Sequence, residues 1–306
     1  MDKQRNKRNY TVEIWRIVYA AVILGFHYFS KHEMQPFHAG YLGVEFFFLL
    51  SGYGLFVMHD NMKLPDYPKF ALSRLLRLYP LYLASMFFML LVKLFTHQQT
   101  IAQLPGYIKS CLAEFFMLQC GPLGNEVMIA ANWYVAVLFW GSLVWMLLML
   151  IFKKIFSGNL IASLMGLITA FGIYGYYFVK IGKIDVIFSY YAFLRGLAGL
   201  GLGIFMAYLS NLFSGIQTKS PKNSRILFAA ANFVLLAVVV YTNFGHRSKW
   251  DFLIISCFFV CLLILFSLPD PVPESAQKYI KKPASATYPV YLFQMPVIEL
   301  MLYFHI

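Results

Sequence analysis

The sequence predicts an all-α fold, a polytopic membrane helical bundle of about nine to ten transmembrane helices, with residues 1–306 forming a single integral-membrane domain. Three observations predict it. Hydrophobic residues make up 60% of the chain and charged residues 12%, where soluble domains carry about 25% charged. Mean hydropathy is +0.66. Apolar runs of bilayer length, about 20 residues per helical crossing, recur from one end of the chain to the other.

Nine runs read as spans: 11–29, 40–58, 77–95, 132–152, 158–179, 187–209, 225–243, 252–268 and 287–305. The first follows the polar stretch MDKQRNKRNYTVE, with no small-residue cleavage site after it, and is expected to be retained as a span. A tenth candidate, GYIKSCLAEFFMLQC from Gly106 to Cys120, is short and holds Lys109 and Glu114.

Charge decides whether that segment crosses. If it does not, the cytoplasmic segments hold Lys3, Arg5, Lys7, Arg8, Lys63, Lys69, Arg74, Arg77, Lys153, Lys154, Lys219, Lys222, Arg225, Lys278, Lys281 and Lys282. The outer segments hold Lys31, Lys109, Lys180, Lys183, Arg247 and Lys249. That is 16 against 6, and a crossing at 106–120 would reduce it to 12 against 9. The positive-inside rule favours the first case. It places the amino terminus in the cytoplasm and the carboxyl terminus outside, in a cell membrane, with 106–120 re-entrant or interfacial. The stretch SLPDPVPESAQKYIKKPASA, Ser267 to Ala286, reads as a proline-rich cytoplasmic connection.

The net charge of +12 sits between spans, so it speaks for orientation in a lipid bilayer and not for nucleic acid. None of the four cysteines has the spacing of a zinc site, and no metal is expected.

The polar groups inside the spans carry the functional reading. WRIVYAAVILGFHYF, Trp15 to Phe29, holds Arg16 and His27, although an arginine at mid-membrane costs about 2.5–3.5 kcal/mol on insertion scales. Eleven residues apart, the two project from one helix face, about 16 Å apart along the axis. Arg16 suits a snorkelling anchor or an anion site; His27 suits an interhelical hydrogen bond or a general base. Glu45, in GYLGVEFFFLLSGYGLFVM, falls close to the depth of His27, where a carboxylate beside an imidazole would raise its basicity. Arg74 and Arg77 in SRLLRLYP share a face at the cytoplasmic start of the third span, fit either for phosphate or for anchoring. Arg195 lies in the outer half of a glycine-rich span, and Asn132 and Trp133 open the fourth span at the outer boundary. The polar set thus has two depths: His27, Glu45 and Arg195 outside, and Arg16, Arg74 and Arg77 inside.

In order along the chain, these segments resemble the acyltransferase type 3 family of integral-membrane acyltransferases, which often O-acetylate bacterial surface polysaccharides. The first helix carries the Arg-x10-His pair, Arg16 and His27; GYLGVEFFFLLSGY resembles the family's second span and RLLRLYPLYL its R-x-x-R segment. RGLAGLGLG and ATYPVYLFQMPV resemble its later glycine-rich span and its last signature. The resemblance implies acetyl-CoA or another acyl-CoA as donor and, as acceptor, a hydroxyl of an envelope glycan or lipid-linked sugar. It makes His27 the catalytic histidine, and Arg16, Arg74 and Arg77 the holders of the CoA phosphates. Glu45 is expected to assist His27, and Arg195, Asn132 and Trp133 to meet the acceptor. Three departures stand out: Leu138 where many members carry glutamate, Gln294 where many carry histidine, and an end at Ile306 where many continue into another span. A solute transporter or a non-catalytic scaffold or sensor of the same fold are the alternatives. A transporter would favour broken helices and paired half-repeats, which the sequence does not display.

Overall fold

A backbone in hydrocarbon must satisfy its own hydrogen bonds, which leaves apolar runs of this length the helix as their solution. The computed structural model describes residues 8–31, 36–121, 126–156, 159–187, 189–214 and 221–305. Lys3, Arg5, Lys7 and Lys219 of the charge count lie outside the described residues. Among the described residues there are helices and no strand. In order they are α1 (Tyr10–Lys31), α2 (Gly43–His59), α3 (Tyr67–Phe95), α4 (Leu104–Ser110), α5 (Leu112–Phe115), α6 (Trp133–Phe156), α7 (Leu160–Tyr176), α8 (Ser189–Ser214), α9 (Pro221–Phe244), α10 (Asp251–Ser267) and α11 (Glu274–Tyr303).

Each of the nine apolar runs lies within or largely overlaps a helix. Among the described residues, seven helices are long and apolar enough to cross a bilayer by length and composition. α10 is apolar but has 17 residues, and the apolar half of α11 follows a charged half bearing Glu274, Lys278, Lys281 and Lys282. The tenth candidate forms α4 and α5, of seven and four residues, far too short to span at 1.5 Å per residue.

One expectation fails. The connection at 267–286 is helical from Glu274 onward, with Pro283, Pro289 and Pro296 inside α11. The other prolines of that stretch, Pro269, Pro271 and Pro273, stay ahead of the helix, with Pro273 extended at its N-cap position. Between Glu274 and Lys282 run residues such as Glu, Gln, Lys and Ala that lose little on becoming helical.

α8 is the hub, packed against α2, α6, α7 and α10, while α1 lies along α11 and α11 against α3. Glycines permit the closest of these approaches. A methyl group at Gly52 of α2 would stand 2.1 Å from the Leu200 carbonyl oxygen, and one at Gly203 of α8 would stand 2.2 Å from that of Leu49. Backbones that near each other gain van der Waals contact, which drives helix association where lipid supplies no hydrophobic force.

Polar contacts tie the ends into two levels. At the amino-terminal end, Asn9 Nδ2 donates to the Leu265 carbonyl at 2.9 Å and Thr11 Oγ1 to Asp270 Oδ1 at 2.8 Å. There too Lys153 Nζ donates to the last carbonyls of α2, His59 at 3.1 Å and Asp60 at 2.9 Å. At the opposite end, the Ala39 amide donates to the Thr242 carbonyl at 2.9 Å, and Lys31 pairs with Glu299 at 3.0 Å. These contacts set the ends of α2, α6 and α10 on the level where α1 begins, as the alternation without a crossing at 106–120 requires.

Candidate active site

Most of the polar residues singled out in the sequence are turned inward. On the opposite level, Arg195 and Glu45 are both fully buried. Arg195 Nε donates to Glu45 Oε1 at 2.6 Å, and the Tyr174 hydroxyl donates to Glu45 Oε2 at 2.7 Å. The remaining guanidinium nitrogens donate to Asp185 Oδ1 at 3.4 Å and to the Tyr41 carbonyl at 3.3 Å. Charge-assisted bonds of this kind are what make a buried charge tolerable. The guanidinium carbon also lies 5.0 Å from the centroid of the Trp133 ring, within cation–π range.

Glu45 is therefore not the partner of His27. The sequence places both at one depth, but α2 turns Glu45 toward α7 and α8. His27 instead lies on the side of α1 that meets α11, where Gln294 bears on its imidazole. The charges felt at the ring are those of Asp185 and Lys31. Asp185 lies in the connection before α8, where its other oxygen accepts from Arg247 Nε at 2.7 Å.

Asn132 is held by a residue the sequence reading did not choose. Glu114, on α5, is fully buried. It accepts from Asn132 Nδ2 at 2.9 Å, from the Ile129 amide at 3.2 Å and from the Met128 amide. Burial pushes its carboxyl up to about 7, against these three donors, which favour the charged form. The sequence did carry a signal: a lone carboxylate in a short apolar segment that does not cross.

On the amino-terminal level, Arg16 pairs with Glu13 at 2.8 Å, and Glu13 with Arg8 at 2.9 Å. Arg74 Nη2 donates to Ser142 Oγ at 2.7 Å, while Arg77, one turn on, is exposed. Arg74 and Arg16 both act electrostatically on the hydroxyl of Tyr134, and Glu45 acts on it from the opposite level. Tyr134 thus stands between the two levels, its ring 5.3 Å from that of Tyr291. Arg74 and Arg77 lie one turn apart on α3, and Arg16 acts electrostatically on the same tyrosine as Arg74; Arg195, Asn132 and Trp133 form a separate group on the opposite level.

Buried polar side-chain atoms without a partner are rare in folded proteins. Among the described residues they include His27 Nδ1, Arg74 Nε, Asn132 Oδ1 and Gln294 Nε2. Three of these four residues are candidates already chosen from sequence.

The profile of the acyltransferase type 3 family, described as an acyltransferase domain, matches residues 9–304. The chain belongs to this family. Comparison with curated proteins and with solved structures found no match. As a family member with this many apolar helices, the acyltransferase is a multi-pass membrane protein whose chemistry is the transfer of acyl groups. Arg16 and His27 on α1, Glu45 on α2, the Arg74–Arg77 pair and Arg195 all fall inside the matched region.

Proposed function

We propose that the protein is a membrane O-acyltransferase that takes an acyl group, by family resemblance acetyl, from acyl-CoA at the amino-terminal, cytoplasmic level. It delivers that group to a hydroxyl of an envelope glycan or its lipid-linked precursor at the opposite level. The observation that carries this reading is the set of orphaned buried atoms on both levels, since a polar atom kept dry and unpaired costs stability unless a ligand completes it.

Arg74 Nε is suited to a phosphate oxygen of CoA, with Arg77 one turn on and Arg16 on the same level. His27 Nδ1 is suited to take the proton of the attacking hydroxyl, a poor nucleophile at neutral pH until a base is positioned beside it. Asn132 Oδ1 is suited to accept from another acceptor hydroxyl, with Trp133 and Arg195 forming the wall behind it. Glu45 acts by fixing Arg195. The 16-to-6 charge split supports the cytoplasmic assignment of the amino terminus.

The test is purified protein with radiolabelled acetyl-CoA and isolated envelope glycan, wild type against His27→Ala. Label should move to the glycan only with wild type. A folded His27→Ala protein that transfers at the wild-type rate would overturn the reading.

A further inference from the structure

We propose that Gln294 is a catalytic residue whose side-chain amide binds the oxyanion formed at the acyl carbonyl beside His27. This rests on the acyl-transfer reading above.

The argument starts from two atoms. Gln294 is 4% exposed on α11, and its Nε2 has no partner; His27 Nδ1, on the neighbouring α1, has none either. Gln294 is the α11 side chain that bears on the imidazole across the α1–α11 contact, and its Nε2 stays unpaired there. Burial therefore leaves its two N–H donors dry and unspent, across the seam from a nitrogen that is equally unspent. One turn along α1, Lys31 pairs with Glu299 of α11 at 3.0 Å, and Gln98 Nε2 donates to the same carboxylate at 3.4 Å. That polar latch closes the seam outside the pair. A base and a neutral donor held against each other in a water-poor seam are the two groups that acyl transfer to a hydroxyl requires.

The step balances without any further reactant. The hydroxyl oxygen bonds to the acyl carbon as its proton passes to His27, and the carbonyl π pair moves onto the oxygen, where the Gln294 N–H donates. When that pair returns, the carbon–sulfur bond breaks, and CoA leaves as a thiolate that recovers the proton from the imidazolium. A glutamine can serve where a second histidine could, because the position needs a donor and not a titrating group.

The experiment measures transfer kinetics, CoA affinity and thermal midpoint for Gln294→Met, which keeps the volume and removes the donor, and for Gln294→His, which keeps an N–H. Gln294→Met should lower kcat about 10²-fold, with CoA affinity and thermal midpoint near wild type, and Gln294→His should retain much of the rate. Wild-type kcat in Gln294→Met overturns the proposal. So does a rate that falls only in step with the thermal midpoint in both variants. An inactive His27→Ala beside a fully active Gln294→Met removes this inference alone, whereas an active His27→Ala removes the acyl-transfer reading beneath it.

Discussion

Arg195 of α8 and Glu45 of α2, 150 residues apart in sequence, meet through Nε and Oε1 at 2.6 Å with neither side chain exposed. The pair pins two helices that already touch through glycine, and it positions the ring of Trp133 against a fixed cation.

Breaking that pair from one side should cost more than removing it whole. An unpaired buried charge costs about 3–5 kcal/mol. Arg195→Met should lower the thermal midpoint in detergent sharply, and adding Glu45→Gln should restore part of the loss. Additive losses would mean that the two side chains contribute independently.

His27→Ala should bind CoA with wild-type affinity and lose about 10²–10⁴-fold in transfer. Isothermal titration together with a single-turnover assay separates the two effects. Parallel loss of binding and rate would place the imidazole at the donor.

Arg74→Ala should weaken CoA binding by roughly 10- to 150-fold, the range for one charge-assisted bond of about 1.5–3 kcal/mol. Arg16 is engaged by Glu13 and Arg77 is exposed, so their alanine variants should lose less. Equal affinity in all three variants would leave these arginines as topology anchors.

Glu114 predicts a pH dependence of stability. Its folded carboxyl sits at about 7, above its ordinary value of 4.5, so the folded state holds the proton more tightly than the unfolded one. Its contribution is present in full below about pH 4.5 and fades as pH rises through 7, by roughly 3 kcal/mol at 1.36 kcal/mol per unit. The thermal midpoint of wild type should therefore fall relative to that of Glu114→Gln between pH 5 and pH 8. Parallel midpoint curves would show that the carboxyl ionises normally.

Topology is open to labelling. In a variant lacking the native cysteines, Asn61→Cys, in the α2–α3 connection, should resist an impermeant thiol reagent in intact cells. Lys249→Cys, between α9 and α10, should react. The reverse pattern would invert the bundle.

What the sequence disclosed was depth, and what it withheld was direction. Hydropathy located each span and put His27, Glu45 and Arg195 on one level, since distance along a helix converts directly to height in the membrane. Which neighbour a side chain faces depends on how helices are rotated against each other. Glu45 was thus assigned to His27 when it belongs to Arg195 and Tyr174. Gln294 stands in the sequence only as a departure from the family's histidine, and its place across from His27 follows from α11 lying beside α1. Glu114 was read as evidence about crossing; its grip on Asn132 depends on how the loop before α6 folds back. The helical start of α11 was hidden behind prolines that proved to lie mostly outside it.

The glycine contact between α2 and α8 has a mechanical consequence. Two backbones touching at Gly52 and Gly203, with a third, α7, seated on Gly201 through Gly166, meet at those points with no side chain between them to slide or repack. These three helices behave as one stiff body. The frame on which Arg195 is mounted therefore keeps its shape.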